Sequence, residues 1–125
     1  MIRRLWVWGP AVAMMGALFL SSSRTGISLP GRFDLLAHLG AYVLLGLLCV
    51  RGFAGARWSG VTRRSLWLAV ALTSAYGLSD EVHQMFVVGR SASWEDWVAD
   101  TAGGVIAAVL VGGVRSWIEA SRSRR

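Results

Sequence analysis

Charge is scarce in this chain, lysine is missing altogether, and cysteine occurs once. Charged residues make up 16% of the 125 and hydrophobic ones 54%, with a mean hydropathy of +0.51. That balance excludes a water-soluble domain of this size and points to an integral membrane protein. The one cysteine, Cys49, lies inside an apolar run, so no intrachain disulfide can form and a small buried hydrophobe is its expected role. Without lysine, all 13 basic residues are arginines, and the formal charge is +6. They stand mainly between the apolar runs and at the chain ends, which is the placement of topology charges rather than of a nucleic-acid surface. Also missing are a G-x-S-x-G elbow, a Walker loop and a dinucleotide glycine fingerprint, so ATP-driven transport and nicotinamide chemistry have no support. No tight ligand signature such as H-E-x-x-H occurs, and neither a metal nor another cofactor is expected. A metal site would have to draw on His38, His83 and two carboxylates. No repeat, low-complexity tract or linker divides the chain, so residues 1–125 read as a single domain.

What is present is four apolar runs. Leu5 to Ser23 carries no charge and has about the 20 residues that a helix needs to cross hydrocarbon. Arg3 and Arg4 ahead of it also fit a signal peptide, but Trp6, Trp8 and Pro10 resemble the interfacial start of a retained helix, and no clear A-x-A site follows. The second run extends from Leu35 to Val50, the third from Leu66 through Tyr76 into Asp80, and the fourth from Trp97 to Val114. Each of these three reaches spanning length only when its polar end is counted. The spacing therefore predicts spans at about 5–23, 34–51, 65–82 and 97–115 in an all-α, integral membrane four-helix bundle. Ten of the 13 arginines fall in the N-terminus, the second loop and the C-terminal tail; Arg24, Arg32 and Arg90 fall on the other side. Positive charge concentrates on the cytoplasmic face, so both termini are expected inside a bacterial cytoplasmic membrane. Six of the seven acids and both histidines then face outward.

Those outward groups recur at helical spacing: Asp34-x3-His38, Asp80-x2-His83 and Asp96-x3-Asp100. Residues three or four apart share a helix face, so Asp34, His38 and Tyr42 should line one stripe, and Tyr76, Asp80, His83 and Gln84 another. Asp96 and Asp100 share theirs with Gly103 and Gly104, which admit a close neighbouring helix. Ionisable groups at membrane depth cost roughly 2.5–3.5 kcal/mol each on the lenient scales, and their default reading is a working site. In that site His38 and His83 would move protons, Asp80 and Asp100 would orient them, and Arg90 would clamp an anionic group. Bland roles are also open. Arg90 can simply pair with Asp80, Glu81, Glu95 or Asp96. In the loop FVVGRSASWE, Gly89 can turn the chain with positive φ and Ser93 can cap the fourth helix, with Asp96 in the position of a capping-box acid. Trp94 and Trp97 read as outer interface anchors and a lid.

Two segments, FDLLAHLGAYVLLG (Phe33–Gly46) and AYGLSDEVHQMFVVGRSASWEDWVADTAGG (Ala75–Gly104), resemble the VanZ-like family of small bacterial membrane proteins, named after a teicoplanin-resistance accessory protein. They cover about a third of the chain and match the family's D-x3-H-x3-Y helix and its later acid-rich block in order and spacing. The resemblance places the family's polar signature on Asp34, His38, Tyr42, Asp80, Glu81, His83, Gln84, Arg90, Asp96 and Asp100. Leu35 departs from it, since many members carry lysine there, and leaves the cluster more acidic. A cell-envelope role is implied, with glycopeptide resistance in some members.

The leading expectation is an outward pocket in which His38, Asp80, His83 and Asp100 are the candidate catalytic groups. Asp34, Tyr42, Glu81, Gln84, Arg90 and Asp96 would bind a membrane lipid or lipid-linked envelope precursor. Whether that ligand is modified or only bound stays open at this point. A non-enzymatic protein binding a lipoglycopeptide would use the same residues, as would a proton-linked transporter, although four short helices without a polar path to the cytoplasmic side argue against transport. The charge asymmetry makes a direct prediction. A Ser91→Cys protein should react with an impermeant thiol reagent in intact cells, and labelling only after lysis would overturn the orientation.

Overall fold

A computed structural model describes residues 2–25 and 32–124. Residues 26–31, between the first and second predicted spans, lie outside the described residues. Among the described residues the chain is all-helical: α1 (Ile2–Ser22), α2 (Arg32–Phe53), a 3-10 turn at Trp58–Gly60, α3 (Arg63–Gln84) and α4 (Trp94–Ser123). Helices α1, α2 and α4 are long and apolar enough to cross a membrane. At 22 residues α3 has the length, about 33 Å at 1.5 Å per residue, but not the composition. Ser65, Thr73, Asp80, Glu81 and Gln84 give it a polar face, and that face is buried within the protein.

Helix α2 is central. It packs most extensively on α4 and also on α3, while α1 lies against α2 and only lightly on α3. Tyr42, Leu45, Cys49 and Val50 of α2 form the core together with Ala54, Val61 and Ala69. Close packing with α4 depends on missing side chains, as the Gly103 and Gly104 pair predicts. A Cβ on Gly103 would stand 2.8 Å from the Tyr42 carbonyl carbon and 2.9 Å from the Leu39 oxygen, and one on Gly46 would stand 2.8 Å from the Ala107 Cβ. Gly104 meets Thr73 of α3 in the same way. Small residues on one face of α4 therefore let it wedge between α2 and α3.

Helix ends are closed by their own sequences. Thr62 and Ser65 form a reciprocal capping box at the start of α3, with bonds of 3.1 and 2.8 Å. Ser93 caps α4 by accepting from the Asp96 N–H, and Gly89 turns the preceding loop at φ +82°. Within α1, Pro10 has no N–H to give the Trp6 carbonyl four residues back. The Arg51 guanidinium supplies the donor instead, 2.9 Å from the Trp6 oxygen and 2.6 Å from that of Val7. A cation at the end of one span thus repairs the backbone of another.

Placing a methyl group at the α2–α4 crossing should force the two helices apart. Gly103→Ala is expected to cost about 1–3 kcal/mol through overpacking. Gly113→Ala, where a Cβ meets nothing within 4 Å, should be close to neutral. Thermal unfolding of both variants in one detergent checks the contrast.

Candidate functional site

The four helices alternate in direction, so the C-terminal ends of α1 and α3 and the N-terminal ends of α2 and α4 meet at one end of the molecule. Contacts across that end fix the arrangement. Ser22 of α1 donates to Asp80 Oδ1 of α3 at 2.6 Å, and Asp100 Oδ1 of α4 pairs with His38 Nδ1 of α2 at 3.0 Å. Both acids are deeply buried, Asp80 at 5% exposure and Asp100 at 0%. Gln84 Nε2, 3.3 Å from Asp80 Oδ2 and 3.4 Å from Glu81 Oε1, links the two adjacent acids of α3. Glu81 Oε2 also accepts the Ser93 N–H at 2.7 Å, so a carboxylate from α3 fills the half of the capping motif expected of Asp96.

A cavity of about 180 Å³ opens beside this network. Asp34, His38, Tyr42, Asp80, Gln84 and Arg90 give it a polar side; Leu18, Ala37 and Ala41 give it an apolar one. The expected stripe Asp34–His38–Tyr42 lines the cavity as a unit. The Tyr42 ring is stacked parallel to the imidazole at a 6.3 Å centroid distance, and its buried hydroxyl has no hydrogen-bond partner. Glu81, Asp96 and Asp100 lie outside the lining but close to it. One ligand atom from each of His38, Glu81 and Asp100 falls within 4.8 Å of the others, and the same holds for Asp34, His38 and Asp96. Among the described residues these two groups could hold a metal, and His83 belongs to neither.

His83 departs from its expected place. Its Nε2 lies 2.9 Å from Ser23 Oγ and its ring 4.4 Å from that of Phe19, so it packs on α1 and does not line the cavity. Asp80 is bonded to Ser22 and Gln84, and the expected Asp80–His83 pair does not form. Tyr76, assigned to the same stripe, donates to the Met15 carbonyl at 2.5 Å. Trp97 is a strut, not a lid: its indole N–H donates to the Ser74 carbonyl of α3 at 3.1 Å, beside a Ser74–Thr101 hydroxyl bond of 2.8 Å. Trp94 is 73% exposed, as an anchor would be.

The sequence predicts α1 as a span but assigns none of its residues to the site. Ser21 and Ser22 line the cavity, Ser22 is 3% exposed, and both stand in the last turn of α1. The one available signal was three consecutive hydroxyls at the depth of the acids.

Three apolar helices of spanning length around a buried acid–histidine network define a helical membrane protein. Within that class the chain belongs to the VanZ/LLP1 family, which it matches over residues 11–115. Membership connects it with a role in the cell envelope related to antibiotic resistance. No curated protein and no solved structure matches it.

The Ser22–Asp80 bond ties the thinly packed α1 to the network. Ser22→Ala removes a donor from a buried carboxylate and should cost about 1.5–3 kcal/mol. Ser121→Ala, an exposed hydroxyl bonded to its own helix, should be near neutral. Denaturation of the two variants side by side measures the difference.

Proposed function

We propose that α3 is a fourth span, that both termini are cytoplasmic, and that the cavity faces outward from a bacterial cytoplasmic membrane. There it binds the headgroup of an anionic envelope lipid or lipid-linked glycan precursor. The observation that carries this reading is the two-sided cavity, in which one cation and several hydrogen-bonding groups stand opposite an apolar wall. A guanidinium suits phosphate or carboxylate through its fork of donors, so Arg90 takes the charged group. Gln84 and Tyr42 can donate to it, while Asp34 and Asp80 accept from the hydroxyls of a sugar or glycerol. About 180 Å³ holds a headgroup and not its chains, which would lie along exposed apolar faces such as Leu36 and Phe19.

If the bound lipid is modified, His38 is the group that moves the proton. It lines the cavity, and Asp100 holds its Nδ1, the arrangement that orients an imidazole for acid or base work. His83, turned toward α1, serves the scaffold.

Purified protein would be incubated with anionic and neutral envelope lipids and with lipid-linked glycans, then analysed by native mass spectrometry for bound lipid and new product. Saturable binding of the anionic class is expected, weakened about tenfold or more in Arg90→Ala, the loss of a charged hydrogen bond of about 1.5–3 kcal/mol. Any product should vanish in His38→Ala and persist in His83→Ala. Equal binding of neutral lipids, unchanged in Arg90→Ala, would sink the reading.

A further inference from the structure

We propose that Asp34, His38 and Asp96 bind one divalent cation of the zinc or manganese class, with Asp100 positioning the imidazole. The three side chains come from two helices, Asp34 and His38 from successive turns of α2 and Asp96 from the first turn of α4. Each offers one ligand atom within 4.8 Å of the other two. A cation drawn between them needs only short side-chain movements, because metal–ligand bonds of about 2.0–2.2 Å set neighbouring donors roughly 3 Å apart. All three residues are half-buried, so an ion can enter and keep water on its open positions.

His38 is already held as a metal-bound histidine is. Its Nδ1 faces Asp100 Oδ1 at 3.0 Å, and Asp100 is fully buried. When that carboxylate accepts the Nδ1 hydrogen, the lone pair of a neutral imidazole is left on Nε2, the nitrogen a metal takes. A second carboxylate behind the ring is the usual means of fixing its tautomer and raising its basicity as a ligand.

An independent observation comes from the cavity that Asp34 and His38 line and beside which Asp96 stands. Tyr42 is 1% exposed, lines the space beside Asp34 and His38, and has a buried hydroxyl without a partner. Buried hydroxyls are rarely left so, and water on a bound cation would accept its proton. Charge argues the same way. Six of the seven acids lie toward this end, against three arginines, Arg24, Arg32 and Arg90, and two histidines. The excess remains however Arg90 is paired. Asp80, Glu81 and Asp100 are at most 5% exposed, where negative charge is costly, and a doubly charged ion beside them would reduce that cost. Mixed carboxylate and single-imidazole donors suit zinc or manganese better than magnesium or calcium, which prefer oxygen alone.

A bound ion would take the nitrogen through which His38 would otherwise move a proton, so the test uses the metal alone. Tag-free protein in a non-ionic detergent, stripped with chelator and dialysed, would be titrated with zinc or manganese and its bound metal measured by elemental analysis. One equivalent per chain is expected, together with a metal-dependent rise in melting temperature. Asp34→Asn and Asp96→Asn should each weaken binding about tenfold or more, and Asp100→Asn, acting through the imidazole, by roughly 10–100-fold. Glu119→Gln, an exposed acid paired with Arg115 at the other end of α4, should bind as wild type. Folding of every variant is verified by circular dichroism and elution volume, and the two half-buried positions keep the test valid if Asp100→Asn does not fold. Failure of folded wild-type protein to take up either ion in saturable fashion overturns the proposal, as does unchanged affinity in Asp34→Asn or Asp96→Asn.

Discussion

Everything at the polar end depends on how closely α4 approaches α2. Asp100, Gly103, Gly104 and Ala107 fall at intervals of three or four and so share one face of α4. Gly103 lies over the backbone between Leu39 and Val43, and one turn away the same crossing sets Asp100 against His38. The spacing that two glycines permit is thus the spacing at which a carboxylate and an imidazole meet. Gly77 completes the arrangement from α3, since a Cβ there would stand 2.8 Å from Asp100 Oδ2. No larger side chain fits behind the acid without moving it.

Hydrocarbon tolerates polar groups best when other polar groups answer them, and this chain answers most of its buried ones locally, the Tyr42 hydroxyl and Asp100 Oδ2 being exceptions. Asp80 takes a serine and a glutamine, Glu81 takes the backbone N–H of the next helix, and Thr73 returns its hydroxyl to the Ala69 carbonyl. Helix α3 can therefore be polar on one side while exposing Trp67, Leu68, Leu78 and Val82 on the other. A hydropathy average over its length merges the two faces, and for that reason α3 falls short on apolarity although its length suffices.

The helices were legible because apolar runs bounded by arginines admit little else, and the Asp34–His38–Tyr42 stripe followed from spacing alone. His83 was misplaced for a geometric reason. At about 100° per residue, Asp80 lies between His83 and Gln84 on the helix wheel, so both satisfy an i,i+3 or i,i+4 rule while facing different neighbours. The buried series Thr73, Gly77, Asp80 and Gln84 selects the Gln84 side and leaves His83 to α1. Ser22 escaped notice because a short hydroxyl at the end of an apolar run carries no sign of its partner. Its value appears only when a carboxylate 58 positions away in sequence arrives beside it.

The attachment of α1 has a further consequence. It meets the other helices sparingly, yet three polar hooks hold it: Arg51 on its carbonyls at one end, Tyr76 on Met15 in the middle, and Ser22 on Asp80 at the other end. Hydrogen bonds strengthen as the local dielectric falls, whereas broad apolar packing between helices gains little from lipid that is as apolar as the side chains. Of the three hooks only the Ser22–Asp80 bond is fully buried. It is therefore the part of the grip on α1 most sensitive to how dry its surroundings are, and water reaching that junction would weaken it most.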